Sequence, residues 1–346
     1  MISTLLVGFG FSAQTFHLPF LSYLSAFSVD GVVSSRPDDV KRVLPEATVY
    51  ASLEQALKVS DDEQHGFDLV VITTPNHLHA PQAELALNNG CHVLVEKPFT
   101  LNSEQASALA DLAKAKDKQL CVYHNRRFDG DFLTLQSLIK EGGMGDIKRF
   151  ESRFDRFRPV PRNRWRENAG PGSGIFWDLG PHLIDQALQL FGNPVSVSAD
   201  IHTLRNHGQS DDVFDITLYY ADKVVKLGSS AFQGGHTLRF DLQGTKASYR
   251  KFHLDPQEDQ LRAGIPINSH TWAKTPDDQH GLLADGDSQL KVETQEGQYV
   301  TFYTALASAI NSGTKLPADA SSVIPVIRII ELAIEANNLG KKLVFK

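Results

Sequence analysis

The chain has 346 residues, 41% hydrophobic and 22% charged, a balance that suits a globular protein with a full core. At roughly 100–200 residues per domain, this length predicts two domains. A net charge of −7 without a long basic run speaks against nucleic acid as a partner, and no apolar run approaches the roughly 18 residues that span a membrane.

The first 123 residues alternate strand and helix signals. Short apolar runs at Thr4–Gly8, Ser28–Ser34, Asp68–Thr73, His92–Glu96 and Gln119–Tyr123 read as strands covered on both faces. Between them, Ser12–Leu24, Leu53–Val59, His79–Asn89 and Ser103–Lys116 read as helices. The alternation predicts a Rossmann-type, doubly wound parallel sheet over residues 1–123. The opening residues reach Gly8 too soon for a signal peptide, and Cys91 and Cys121, both in apolar stretches, fit a reducing cytoplasm rather than a disulfide framework.

From residue 124 the pattern changes. Phe128–Glu141 reads as an amphipathic helix ending at Gly142-Gly143. Ile147–Phe157, Val195–His202, Asp215–Tyr220, Val224–Ser229 and Thr237–Gln243 read as strands separated by turns. This predicts an α+β domain over residues 124–346, built on an open, mainly antiparallel sheet with one face left for helices or a partner. Ala284–Gln298 is polar and turn-rich, as in a hairpin or loop. A helix over about 322–338, capped by Ser322 and stopped at Gly340, closes the chain and would pack back on the first domain.

Gly8, Gly10 and Ala13 follow the first strand as Gly-x-Gly-x-x-Ala and open a helix. Gly8 permits the tight turn, Gly10 lets the backbone approach a pyrophosphate, and the helix start offers free N–H groups, with Phe11 and Ser12 in the same loop. The second strand ends Ser34-Ser35-Arg36 rather than in a carboxylate. Two hydroxyls and a guanidinium suit a 2′-phosphate, which predicts NADP, with NAD the alternative. Lys41 or Arg42 on the next helix would assist. Thr73, Thr74, Pro75, Asn76 and His79 cluster at another strand end, where ligands of open α/β sheets bind, and Asn76 could cap the next helix. His77 and His79 form His-x-His, but with no third ligand nearby no metal is expected.

Glu96-Lys97-Pro98 lies at the next strand end, so Lys97 would reach a substrate beside the nicotinamide. Pro98 holds Lys97 extended. Asp178 and His182 stand four apart, so a helix there puts both on one face, with Asp185 beyond them. Histidine is the usual proton shuttle near neutral pH. Arg126, Arg127, Trp165 and Arg166 are further candidates, because arginine beside an aromatic ring can bind a polyol. Six arginines between Arg153 and Arg166 fit either an anionic substrate or a solvated face.

These motifs, in this order and at these separations, resemble the Gfo/Idh/MocA oxidoreductase family over essentially the whole chain. The segments Tyr123–Asp129 and Asn163–Glu167 look more narrowly like its NADP-dependent scyllo-inositol dehydrogenase group. The resemblance implies a catalytic set at Lys97, Asp178 and His182, with Glu96, Lys97 and Asn125 among the cofactor contacts. It also implies Lys97, Arg126, Arg127, Trp165, Arg166, Asp178 and His182 around the substrate, an NADP-linked oxidation of a polyol or sugar, and a homodimer or homotetramer. A dinucleotide-binding sensor of the same fold is the alternative, as is a tightly held cofactor recycled within each turnover.

Overall fold

The computed structural model describes residues 1–62 and 66–346. Strands β1 (Ile2–Val7), β2 (Phe27–Val33), β3 (Thr48–Tyr50), β4 (Leu69–Ile72), β5 (His92–Val95) and β6 (Leu120–Val122) form one sheet, interleaved with helices α1 (Leu18–Tyr23), α2 (Pro37–Val43), α3 (Leu53–Asp62), α4 (His79–Asn88) and α5 (Ser103–Ala115). The strand order is β3-β2-β1-β4-β5-β6 and every pairing is parallel. Leu69, Val70, Val71, Ile72, Val93, Leu94 and Val95 are fully buried, as expected when helices cover both faces.

The order reverses between β1 and β4, which makes their carboxyl ends the ligand-binding edge of such a sheet. Three local differences from the expected pattern occur. β3 is only three residues long, too short for a periodic signal. α2 begins at Pro37 directly after Arg36 and has one buried side chain, Val40, so it carries no apolar stripe. The predicted helix from Ser12 is a π-helical turn, Ala13–His17, followed by α1.

The later chain supplies α6 (Gly130–Lys140), β7 (Ile147–Arg153), α7 (Ile175–Phe191), β8 (Ser196–His202), β9 (Val213–Tyr219), β10 (Val224–Ser230), β11 (Leu238–Gly244) and β12 (Ser248–Phe252). Then come α8 (Gln257–Arg262), β13 (Gly281–Ala284), β14 (Gln289–Val292), α9 (Tyr299–Ser312), α10 (Ala320–Leu339) and β15 (Leu343–Val344). The nine-stranded sheet runs β14-β13-β12-β11-β7-β10-β9-β8-β15, and only β7 and β10 pair in parallel. The polar Ala284–Gln298 segment contains the second strand of the β13–β14 hairpin. The last long helix starts two residues before Ser322. Asp319 rather than Ser322 takes the capping role, accepting from the Ser321 backbone N–H at 2.9 Å. A carboxylate accepts that bond as well as a serine hydroxyl would.

The chain divides into two compact units. The first holds residues 1–125, 258–272 and 299–324; the second holds residues 126–257, 273–298 and 325–346. In the second unit, α7 packs on β9 and β10 through an apolar face that includes Phe176, Leu179, Leu183 and Ile184. That unit also buries charge. Arg239 is fully enclosed and donates to Asp131 (3.2 Å), Ser152 (3.0 Å) and Gln186 (2.6 Å).

Candidate functional site

The first unit assembles the dinucleotide motif. Gly8 takes a φ of +91°, and a side-chain carbon there would lie 2.9 Å from Thr73 Oγ1. Thr73 in turn donates to the Val7 carbonyl at 2.9 Å, joining the ends of β1 and β4. A side-chain carbon on Gly10 would meet nothing within 4 Å. That open space, before the helical run 13–23, is where a pyrophosphate needs backbone access, so the residues present fit a dinucleotide. Phe11 is exposed; its ring lies edge-on to Phe16 at 5.5 Å and under the Arg262 guanidinium at 5.0 Å.

At the end of β2, Arg36 crosses to the glycine turn and donates to the Phe9 carbonyl at 2.9 Å. Its backbone N–H donates to Ser34 Oγ at 3.1 Å. Ser35 is exposed beside them. The guanidinium also pairs with Asp39 at 3.2 Å, and Asp39 takes Arg42 at 2.7 Å. Lys41 turns away to the Pro45 carbonyl at 2.8 Å. Of the two helpers expected on α2, then, Lys41 points elsewhere and Arg42 is held by a carboxylate.

Several candidates at the sheet edge build the loops. Thr74 donates to Gln82 at 2.6 Å. His79 is buried with its ring nitrogens 2.9 Å from the Thr74 carbonyl and 2.7 Å from the Pro98 carbonyl, so it ties the β4 and β5 loops together. Asn76 and Asn125 are buried, and Pro75 precedes a short 3-10 turn over Asn76–Leu78. Asn76 does not cap α4, whose first flanking residue is Leu78. Among the described residues, no group of three or more His, Cys, Asp or Glu is placed to hold a metal.

Glu96 is the hub of this edge. Its Oε1 accepts from Ser12 Oγ and lies 3.1 Å from His17 Nε2, while Oε2 accepts the Lys97 backbone N–H at 3.0 Å. His17 is fully buried, lies tilted against the Tyr123 ring at 4.3 Å, and meets the Tyr303 hydroxyl through Nδ1 at 2.9 Å. Burial opposes charge on Glu96, but His17, Lys97 and Ser12 outweigh it and hold the carboxyl down at about 2. The Ser12 hydroxyl is therefore directed at Glu96, and the glycine loop is tied to the residue before Lys97. Lys97 is half-buried, and its bond to Pro98 is cis. His17 was missed in the sequence. Its one signal is its place seven residues after Gly10, where the π turn swings it onto Glu96.

The second unit carries the other expected residues. Asp178 and His182 lie four apart on α7; His182 is buried, and Asp178 keeps a quarter of its side chain exposed. Arg166 lies over the Trp165 ring at 4.4 Å, and its Nε is 3.7 Å from Asp178 Oδ1. Arg127 and Arg126 are both engaged with neighbouring side chains. Arg127 forms a two-pronged pair with Asp185 at 2.8 and 2.6 Å, and Arg126 is buried over Phe154 and bonded to Asp129.

α7 begins under a tight constraint. Gly174 has φ +97°, and a side-chain carbon there would lie 2.0 Å from Asp211 Oδ1. Asp211 caps the helix by accepting the Phe176 N–H at 2.6 Å, and burial pushes its carboxyl up to about 6. Arg205 and Asp211 had no local signature, because long-range folding alone brings them to Asp178.

Two family models cover most of the chain: the NAD-binding Rossmann fold of the oxidoreductase family over residues 2–124, and its C-terminal alpha/beta domain over residues 136–344. The chain belongs to the Gfo/Idh/MocA oxidoreductase family. It is 41% identical to the uncharacterized oxidoreductase YdgJ of Escherichia coli, covering 96% of this chain and 95% of that one. It is 37% identical to the NADP-dependent scyllo-inositol 2-dehydrogenase IolW of Bacillus subtilis, covering 96% and 92%. The solved structure of yvaA from Bacillus subtilis superposes with a TM-score of 0.94 at 34% identity, over all of this chain and 98% of the other. Membership makes the first unit an NAD-binding Rossmann domain and the chain an oxidoreductase. Among the described residues, no helix is long and apolar enough to cross a membrane.

Proposed function

We propose that the protein oxidises a secondary alcohol of a polyol or sugar, inositol-like in character, with NADP as the hydride acceptor. The observation that carries this reading is the Glu96 network, which fixes the backbone of Lys97 next to the glycine turn at the ligand-binding edge of the sheet. Arg36 supports the choice of NADP, because it stands at the end of β2 where an NAD site carries a carboxylate. Similarity to a scyllo-inositol 2-dehydrogenase supports the substrate class.

A bound NADP supplies the hydride acceptor at nicotinamide C4. His182 takes the substrate hydroxyl proton as the carbon loses its hydride. Asp178 hydrogen-bonds the substrate or orients His182 from one turn earlier. Lys97 stabilises the oxygen as negative charge develops on it, which an ammonium does well in a partly dry site. In the reverse direction the same groups return the proton.

Lys97→Met tests this. Dinucleotide binding, followed by nicotinamide fluorescence, should persist while kcat falls by roughly a hundred- to ten-thousandfold. A variant that keeps the parent kcat removes lysine from the mechanism.

A further inference from the structure

The side-chain donors around the glycine turn point inward. Ser12 gives its hydroxyl to Glu96, and Gln14 gives its amide to the Phe9 carbonyl at 3.0 Å. Arg36 donates to the same carbonyl from the end of β2. Glu96, next to the turn, is an ionised carboxylate held at about 2. A pyrophosphate brings further negative charge to this spot, and a cation on the open side of the turn would offset it.

Such a cation is present. Arg262, the last residue of α8, belongs to the same compact unit as the turn, although it lies far along the chain. Its guanidinium stands 5.0 Å over the ring of Phe11, which is exposed within the turn. Nη2 binds Glu258 at 2.6 Å, one helical turn earlier, while Nε and Nη1 take no hydrogen bond among the described residues. The segment that carries Arg262 is anchored. Trp272 is buried with its ring 6.3 Å from Phe20 of α1, and Gln260 Nε2 donates to the Thr271 carbonyl at 2.8 Å. A guanidinium stacked on a ring and pinned at one nitrogen has lost much of its rotamer freedom before anything binds, and its planar fork suits phosphate oxygens.

We propose that Arg262 is a cofactor-binding residue that holds the pyrophosphate of the dinucleotide from the open side of the glycine turn, and that residues 258–272 form the strap that carries it there. This deepens the functional reading above and rests on its dinucleotide half. Arg36 is aimed at a 2′-phosphate and serves NADP alone, whereas the pyrophosphate is common to NADP and NAD, so Arg262 contributes equally to both.

The test is calorimetric titration of the full-length protein with NADP and with NAD, comparing the parent with Arg262→Met, which keeps an apolar chain over Phe11 and drops the charge. At low ionic strength the variant should bind both cofactors roughly tenfold more weakly, by the same factor, at an unchanged melting temperature. In about 1 M sodium chloride the gap should close, because screening removes a charge contact and leaves a packing contact intact. Arg262→Lys, which restores a cation, should recover part of the lost affinity. Unchanged affinity for both cofactors overturns the proposal, as does a loss confined to NADP, which would put Arg262 at the 2′-phosphate. A loss that persists at high salt, or that lysine does not reduce, overturns it too, since Arg262 would then prop the turn through Phe11. In each of these cases the parent still binds dinucleotide and the functional reading stands; a parent that binds neither cofactor contradicts both, so the two failures are separable.

Discussion

A 2′-phosphate bound at the end of β2 would meet Arg36 already oriented by the Phe9 carbonyl, but would share it with Asp39. Removing the guanidinium removes a charge-assisted bond, so Arg36→Ala should raise KM for NADP by roughly tenfold to hundredfold and leave KM for NAD nearly unchanged. Asp39→Asn should act the other way, because it frees both Arg36 and Arg42 for the phosphate. Steady-state kinetics with each cofactor checks both variants. Glu96 gives a second prediction. Its folded-state value of about 2 lies below the ordinary 4.5, so its stabilisation is present above pH 4.5 and is lost as pH falls through 2. Glu96→Gln should cost about 1–3 kcal/mol at pH 7, and the gap from the parent should narrow below pH 4.5 in denaturant titrations. The glycine turn and the Glu96-Lys97 pair were legible as sequence because their spacing follows strand ends. His17 and Tyr303, which complete the Glu96 network, lie 79 and 207 residues from Glu96 in sequence, so no spacing beside Glu96 pointed to them.

α7 brings Asp178 and His182 onto one helix, and its register depends on the clamp between Arg127 and Asp185. Both side chains are nearly buried, at 11% and 2% exposure, so breaking the pair strands a charge in a dry setting. Asp185→Asn should cost about 3–5 kcal/mol and lower the melting temperature by several degrees in thermal unfolding. A stability equal to the parent would show that the pair is not holding the helix. The helical reading of Asp178-x-x-x-His182 was available from the four-residue spacing, and five of the six strands of the first sheet and five of the nine of the second from their apolar runs. The clamp was not, because an arginine in a polar segment reads equally well as a ligand for substrate. The same ambiguity placed the helix cap at Ser322 when Asp319, three residues earlier, does the work.

For the whole molecule, the alternation of short apolar runs and helices made the parallel sheet readable, and the change of pattern after Tyr123 announced a second kind of sheet. The return of residues 258–272 and 299–324 to the first unit was not readable, since only long-range packing decides it. Nor was the burial of Arg239 among Asp131, Ser152 and Gln186: hydropathy assigns arginine to the surface, and its partners lie 53 to 108 residues away. The central claim about this molecule is NADP-linked oxidation of a secondary alcohol. It is tested most directly by following the absorbance of reduced nicotinamide with purified protein, scyllo- and myo-inositol, and a panel of sugars and their acids, with NADP and NAD in parallel. Turnover of a polyol or sugar with a higher kcat/KM for NADP than for NAD is the expected result. Turnover with NAD alone would contradict the Arg36 assignment, and no turnover of any alcohol despite dinucleotide binding would contradict the proposed reaction.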